Sequence, residues 1–421
     1  MEIMFKPVDW CLRANLYEVN VRQYSKEGTF RAFQPHIPRL KAMGINVLWF
    51  MPITPISVKG RQGSLGSYYA CSDYLNTNPE FGTVEDFKAL VAEAHRHDMK
   101  VIIDWVANHT GQDHVWVNSH PEYYKKNAQG EFYDSNSWLD VYDLNYYDQR
   151  LRKDMIAAMR FWVDQCGIDG FRCDMAHLVP LDFWHEARVA LDAIRPLFWL
   201  AETEAINYDL VFDCIYAWEW MHKTEQYAHQ RSSVQQLVET LQKMQRNFPQ
   251  CFNLFFTANH DENSWNGTEY EKYGELAIPL AVFSATWTGI PLIYSGQELP
   301  NKKRLKFFDH DPIQWTGQNA LEEFYRKILF LNLEHPALVS GIDAKYQFIP
   351  CNDPSVLSYA RYNGGKKVVV ILNLGENDLS LQLTDPLLNG KFTDVFTEDE
   401  ILMDGKFHTS LKRYGYIILA N

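Results

Sequence analysis

Along this chain apolar residues gather in short unbroken runs, and three of the runs end at an acid. Val101-Ile102-Ile103 leads into Asp104, Leu197-Phe198-Trp199-Leu200-Ala201 into Glu202, and the run from Phe252 to Phe256 leads to Asp261. Runs without polar alternation read as strands covered on both faces, and polar residues at their C-terminal ends read as a rim. A fourth stretch, Gly170-Phe171-Arg172-Cys173-Asp174, is predicted to be extended, so that Arg172 and Asp174 share one face and Phe171 and Cys173 the other.

Helical periodicity fills the gaps between these strands. Residues 83–97 carry a stripe of Phe87, Leu90, Val91 and Ala94 behind a Thr83/Asp86 capping pair, and residues 149–166 carry Met155, Ala158, Met159 and Trp162 before Gly167. Further strands are expected at 16–22, 45–53, 210–215 and 290–298, and further helices at 33–43, ended by Gly44, and at 183–194 and 320–333. Strand and helix in alternation imply parallel pairs with right-handed crossovers, and eight strands imply a TIM barrel. Two segments break the pattern. Residues 109–147 are polar and aromatic without a period, which marks a functional excursion after the third strand. From Tyr346 onward short alternating runs separated by Gly-rich turns predict an antiparallel β-sandwich. The expected domains are a barrel of residues 1–109 and 148–340, a short insertion 110–147 and a C-terminal β-domain 341–421.

Composition narrows the chemistry. The 421 residues suffice for a barrel of about 250 residues plus accessory domains. A net charge of −13 disfavours nucleic acid or an anionic membrane as partner and leaves a neutral substrate. Thirteen Trp, 23 Tyr and 25 Phe supply rings on which sugars can stack, although most must fill the core. Seven scattered cysteines form no CxxC pair and no metal-ligand spacing, so free thiols in a reducing compartment are expected. No apolar run reaches a membrane span, and residues 1–15 lack a basic start and an apolar core. The expectation is a cytoplasmic location, or a periplasmic or secreted one for an exported protein that has been trimmed.

A cation beside a carboxylate keeps it ionised, as a carboxylate nucleophile requires, which makes Asp174 the first catalytic candidate; a purely structural Arg172–Asp174 pair is the alternative. Four short motifs carry a resemblance. Asp104-Trp105-Val106-Ala107-Asn108-His109, Gly170-Phe171-Arg172-Cys173-Asp174, Ala201-Glu202-Thr203 and Asn259-His260-Asp261 occur in that order and together resemble the α-amylase family, glycoside hydrolase family 13. The resemblance implies Asp174 as nucleophile, Glu202 as general acid and base, and Asp261 as the acid that stabilises the transition state. It also implies Arg172, His109 and His260 as sugar contacts, Tyr69 (or Tyr68) as a stacking ring, and Asp104 as a support at the substrate site. Glu204, two residues beyond Glu202, competes for the acid role because it would face the same way.

Such a site breaks a glycosidic bond with one protonated and one ionised carboxyl, about 5–5.5 Å apart when configuration is retained, and strand neighbours lie about 4.8 Å apart. Arg172 is expected to hold Asp174 ionised while burial pushes Glu202 upward. The expected activity is hydrolysis of α-glucosidic bonds in α-glucans or maltooligosaccharides. The alternatives are transglycosylation or isomerisation on the same acids, and a non-catalytic carbohydrate-binding protein. No cofactor is required and no metal ligand set is predicted; Asn108 marks the one place where the family would hold calcium. Ala176-His177-Leu178 stands where many α-amylases carry Lys-His. That departure, the short insertion and its rings (Trp116, Tyr123, Tyr124, Phe132, Tyr133, Trp138 and Tyr142) lead to an expected preference for oligosaccharides over starch.

Overall fold

The computed structural model describes residues 5–341 and 344–421. Eight parallel strands close into a barrel: β1 (Leu16–Val19), β2 (Val47–Phe50), β3 (Lys100–Trp105), β4 (Gly170–Cys173), β5 (Phe198–Ala201), β6 (Cys214–Tyr216), β7 (Phe252–Phe255) and β8 (Ile290–Tyr294), with β8 pairing back to β1. Alternate residues face inward. Leu16, Val47, Trp49, Ile102, Phe198, Leu200, Leu254 and Leu292 pack inside the barrel, while Tyr17, Leu48, Val101, Ile103, Phe171, Cys173 and Trp199 pack against the surrounding helices. The same period of two turns Glu18, Asp104, Arg172, Asp174 and Glu202 inward.

The helix Val84–Arg96 begins at the Thr83/Asp86 capping box, and Gln149–Phe161 runs into a π turn, Trp162–Cys166, closed by Gly167 at φ 71°. Several expected bounds need correction, among them the eighth strand, which ends at Tyr294 and turns before Glu298. The first strand ends at Val19 and a helical turn, Val21–Tyr24, follows. The helix expected at 33–43 is three pieces, Phe30–Phe33, Gln34–His36 and Ile37–Ala42, because Pro35 and Pro38 bring no N–H. The sixth strand starts at Cys214, Leu210 lying instead in the 3-10 turn Tyr208–Leu210. Helices Trp218–Ala228, Val234–Asn247 and Ala277–Thr286 were not anticipated.

The excursion after β3 is held by an antiparallel pair, His109–Gly111 with Val141–Asp143. Beyond the helix Glu322–Glu334, the strands β9 (Lys345–Phe348), β10 (Val356–Asn363), β11 (Lys366–Asn373), β12 (Leu379–Asp394), β13 (Glu400–Leu411) and β14 (Tyr416–Ala420) follow. The expected antiparallel β-sandwich domain is built from six strands hydrogen-bonded in the order β9-β10-β11-β14-β12-β13. The register shift between Thr384 and Asn389 bends the β12–β13 hairpin, so that Leu381, Leu383 and Phe407 close over Val356, Val369 and Ile371 and a sandwich-like core forms within one sheet.

Candidate active site

The C-terminal ends of β3, β4 and β5 meet at one guanidinium. Arg172 is fully buried, and its Nη1 donates to Asp104 Oδ1 and to Asp174 Oδ1, each at 2.9 Å. Its Nε donates to the Tyr216 hydroxyl at 3.1 Å, and its Nη2 lies 2.9 Å from Glu202 Oε2 without the alignment of a hydrogen bond. The Trp49 ring lies 5.1 Å from this guanidinium. Asp174 and Glu202 occupy matching places on adjacent strands, since Cys173 pairs with Ala201 and the Glu202 N–H donates to the Cys173 carbonyl at 3.0 Å. Both acids open onto the same cavity.

Close approach of β4 and β5 depends on Gly170, where a Cβ would lie 2.1 Å from the Phe198 carbonyl oxygen. Directly after the nucleophile candidate, Met175 takes the left-handed conformation at φ 40°, and its N–H donates to Glu202 Oε2 at 2.9 Å. A non-glycine residue held there is strained backbone of the kind found at functional sites.

Burial drives the acids apart from their ordinary values. Asp174 is pushed up to about 6 by burial and the nearby acids, with Arg172 opposing. Glu202 is pushed up further, to about 7, again by burial against Arg172, with Asp174 and Asp261 adding. The expectation that Arg172 holds Asp174 ionised is corrected in part, because burial outweighs the guanidinium and raises the pKa; the expected order, Asp174 the stronger acid and Glu202 the proton carrier, is retained. Asp261 moves the other way: burial opposes its charge, but His260 at its side, Nε2 3.2 Å from Asp261 Oδ2, brings it below the ordinary range.

Of the residues expected at the substrate, Tyr69, His109, Asp174, Glu202 and Asp261 line a cavity of about 270 Å³. The remaining three, Arg172, His260 and Asp104, expected as sugar contacts or supports, are side chains almost without exposure and stand behind that wall. The barrel's inward-facing layer is filled there by their mutual bonds: Asp104 takes Arg172 on one side and, at Oδ2, the Tyr69 hydroxyl at 3.1 Å. Tyr69 stacks on His260 at 5.5 Å between centroids, while Tyr68 is buried with its hydroxyl on Asn20, which leaves Tyr69 as the ring at the cavity.

His109 differs from His260. Its Nδ1 faces the Asn108 side-chain nitrogen at 3.2 Å and must accept, so Nε2 carries the proton, and burial keeps the ring neutral by lowering its pKa. Asn108 gives its side-chain nitrogen to His109 in this way, and among the described residues no group of three or more His, Cys, Asp or Glu side chains is placed to hold a metal ion. Glu204 is no longer a competitor for Glu202. Its carboxylate accepts twice from the Glu219 N–H, at 3.0 Å, in the first turn of the helix Trp218–Ala228.

The far walls come from loops. Trp138 of the excursion, edge-on to His109 at 5.0 Å, closes one side, and Trp265, Phe307 and Phe308 close the other. Trp265 sits on a π turn, Glu262–Asn266, the kind of local widening that aims a side chain at a site. Other rings of the excursion pack on one another: Trp116 on Tyr74 and Tyr123, Tyr124 on Phe132 and Tyr142. Of the rings anticipated in the excursion, Trp138 reaches the cavity; Trp265, Phe307 and Phe308 carried no signal, because they converge from segments distant in sequence. Glu18, behind His260, was also missed.

Comparison with known proteins shows the family of the chain. The model of the α-amylase catalytic domain matches residues 19–139 and 118–193, and that of the maltogenic amylase C-terminal domain matches 346–418. A solved structure, the noncanonic maltogenic α-amylase AmyB from Thermotoga neapolitana, is 30% identical with a TM-score of 0.89, over 97% of this chain and 98% of that one. The chain belongs to the α-amylase family, glycoside hydrolase family 13. Another similar structure within reach of this α-amylase-family chain is an α-amylase from Lactobacillus plantarum, 29% identical, TM-score 0.87, over 98% and 99% of the two chains. Among curated relatives, α-amylase MalA of Haloarcula japonica is 24% identical over 89% of this chain, and the chain spans 57% of that longer protein. An α-1,4-glucan:maltose-1-phosphate maltosyltransferase of Picrophilus torridus is 25% identical over 82% of this family member, which covers 59% of it.

Proposed function

We propose that this protein is a retaining α-glycosidase that hydrolyses α-glucosidic bonds in α-glucans or maltooligosaccharides. The observation that carries the reading is the emergence of Asp174 and Glu202 from paired neighbours on β4 and β5, both on the guanidinium of Arg172. In the first step Asp174 attacks the anomeric carbon while Glu202 gives its proton to the glycosidic oxygen, and the leaving sugar departs as an alcohol. Charge developing on the ring faces Asp261, whose own ionisation is supported by His260. In the second step Glu202, now a carboxylate, takes a proton from water as the water displaces Asp174 and restores the original configuration.

Changing Asp174 to Asn tests this. Activity on maltooligosaccharides is expected to fall by more than about 10³-fold with the fold intact by circular dichroism, as for removal of other catalytic nucleophiles. An Asp174→Asn variant that keeps most of its rate overturns the assignment. A sugar hydroxyl can replace water in the second step, and the maltosyltransferases among the relatives favour examining it. Chromatography of the products distinguishes the two: hydrolysis gives only shorter sugars, whereas transfer gives some that are longer than the substrate.

A further inference from the structure

The groups around His260 bear on its protonation state. Nδ1 faces Glu18 Oε1 at 2.5 Å, and a carboxylate oxygen only accepts, so Nδ1 is a donor. Nε2 lies 2.6 Å from the Tyr69 hydroxyl and 3.2 Å from Asp261 Oδ2. The Tyr69 hydroxyl donates to Asp104 Oδ2 at 3.1 Å and so can accept from His260, and the Asp261 carboxylate beside the same nitrogen only accepts. Nε2 must donate as well. An imidazole with two donors is an imidazolium.

We propose that Glu18, on β1, is a positioning residue for the reaction: it grips His260 at Nδ1 so that the ring stays a cation with its Nε2–H turned toward Tyr69 and Asp261. Glu18 is fully buried, and its backbone carbonyl is itself held by Ser295, whose hydroxyl and N–H donate at 2.6 and 3.1 Å, so the carboxylate has a fixed base. The ring is held in place, because Tyr69 stacks on it and Trp49 stands edge-on to it at 6.0 Å. The charged groups around it are Glu18, Asp104, Arg172 and Asp261, with Tyr69 the titratable hydroxyl, and only Glu18 touches the nitrogen that points away from the cavity. The direction of the shift agrees: burial opposes a charge on His260, but Asp261 and Glu18 together raise its pKa well above the ordinary value. Five carboxylates share this centre with two cations, so loss of the second cation would leave Asp261 and Asp174 facing Arg172 alone.

The inference rests on the retaining reading, in which Asp261 serves the transition state, but one of its tests needs no turnover. In ¹⁵N-histidine-labelled protein the His260 ring, assigned by its absence in His260→Asn, is expected to show both nitrogens protonated from pH 5 to pH 8. In Glu18→Gln the ring is expected to titrate within that range, with kcat/KM at pH 7 lowered about 10–100-fold, the effect typical of losing a partner that orients a functional histidine, and with kcat falling further as the ring loses its proton. A neutral His260 ring in the unmodified protein at pH 8 overturns the proposal even if the variant fails to fold. So does a folded Glu18→Gln variant with an unchanged pH profile. Either result leaves the retaining reading standing, which an active Asp174→Asn variant removes.

Discussion

At the residue scale the site is a crowd of acids around Arg172, and its pH behaviour follows from their order. Asp174 must be ionised to attack, so activity is expected to fall as pH drops through about 6. Glu202 must carry its proton, so activity is expected to fall as pH rises through about 7. The kcat/KM profile should be a narrow bell between these values, read with an uncharged oligosaccharide. The same burial bears on stability. Because the Glu202 pKa rises from 4.5 unfolded to about 7 folded, its ionisation opposes folding, most fully above about 7 and not at all below 4.5. Glu202→Gln is therefore expected to be less active by about 10²–10⁴-fold, and to melt about 2–4 °C higher at pH 8, an advantage that fades as the pH approaches 4.5. A melting temperature below the parent's at pH 8 would contradict that account.

At the element scale, two adjacent strand ends set the distance between nucleophile and acid, and Gly170 lets those strands meet. Adding a methyl there would drive β4 from β5, since its place is 2.1 Å from the Phe198 carbonyl oxygen. Gly170→Ala is expected to lose about 3 kcal/mol of stability or more by denaturant melt, and activity with it. The acid-bearing strands were legible because fully buried strands are written as unbroken apolar runs and their ends as polar residues. Prolines at 35 and 38 broke a helix whose apolar spacing looked continuous, and β6 is so short that Leu210 passed for part of it. Glu18 shows the remaining limit. It lies in a correctly read strand, yet its partner His260 is 242 positions away, and no local pattern joins them.

At the scale of the whole molecule the barrel presents its acids in a small cavity walled by Trp138 on one side and Trp265 on the other, both side chains partly open to solvent. Rings so placed can each stack on a sugar face, and the excursion that brings Trp138 is short. The protein is expected to act on maltotriose to maltoheptaose with higher kcat/KM than on soluble starch, and Trp138→Ala and Trp265→Ala should each raise KM about tenfold, as loss of a contact worth about 1.4 kcal/mol would. A rate that climbs with chain length and peaks on starch would show an open cleft instead. The claim on which all of this depends is a covalent intermediate at Asp174. With the Glu202→Gln variant and an α-maltosyl fluoride, whose leaving group needs no proton, mass spectrometry of the digested protein is expected to find the maltosyl group on the peptide carrying Asp174. Turnover of the fluoride with no adduct, or an adduct on another carboxylate, would contradict the account.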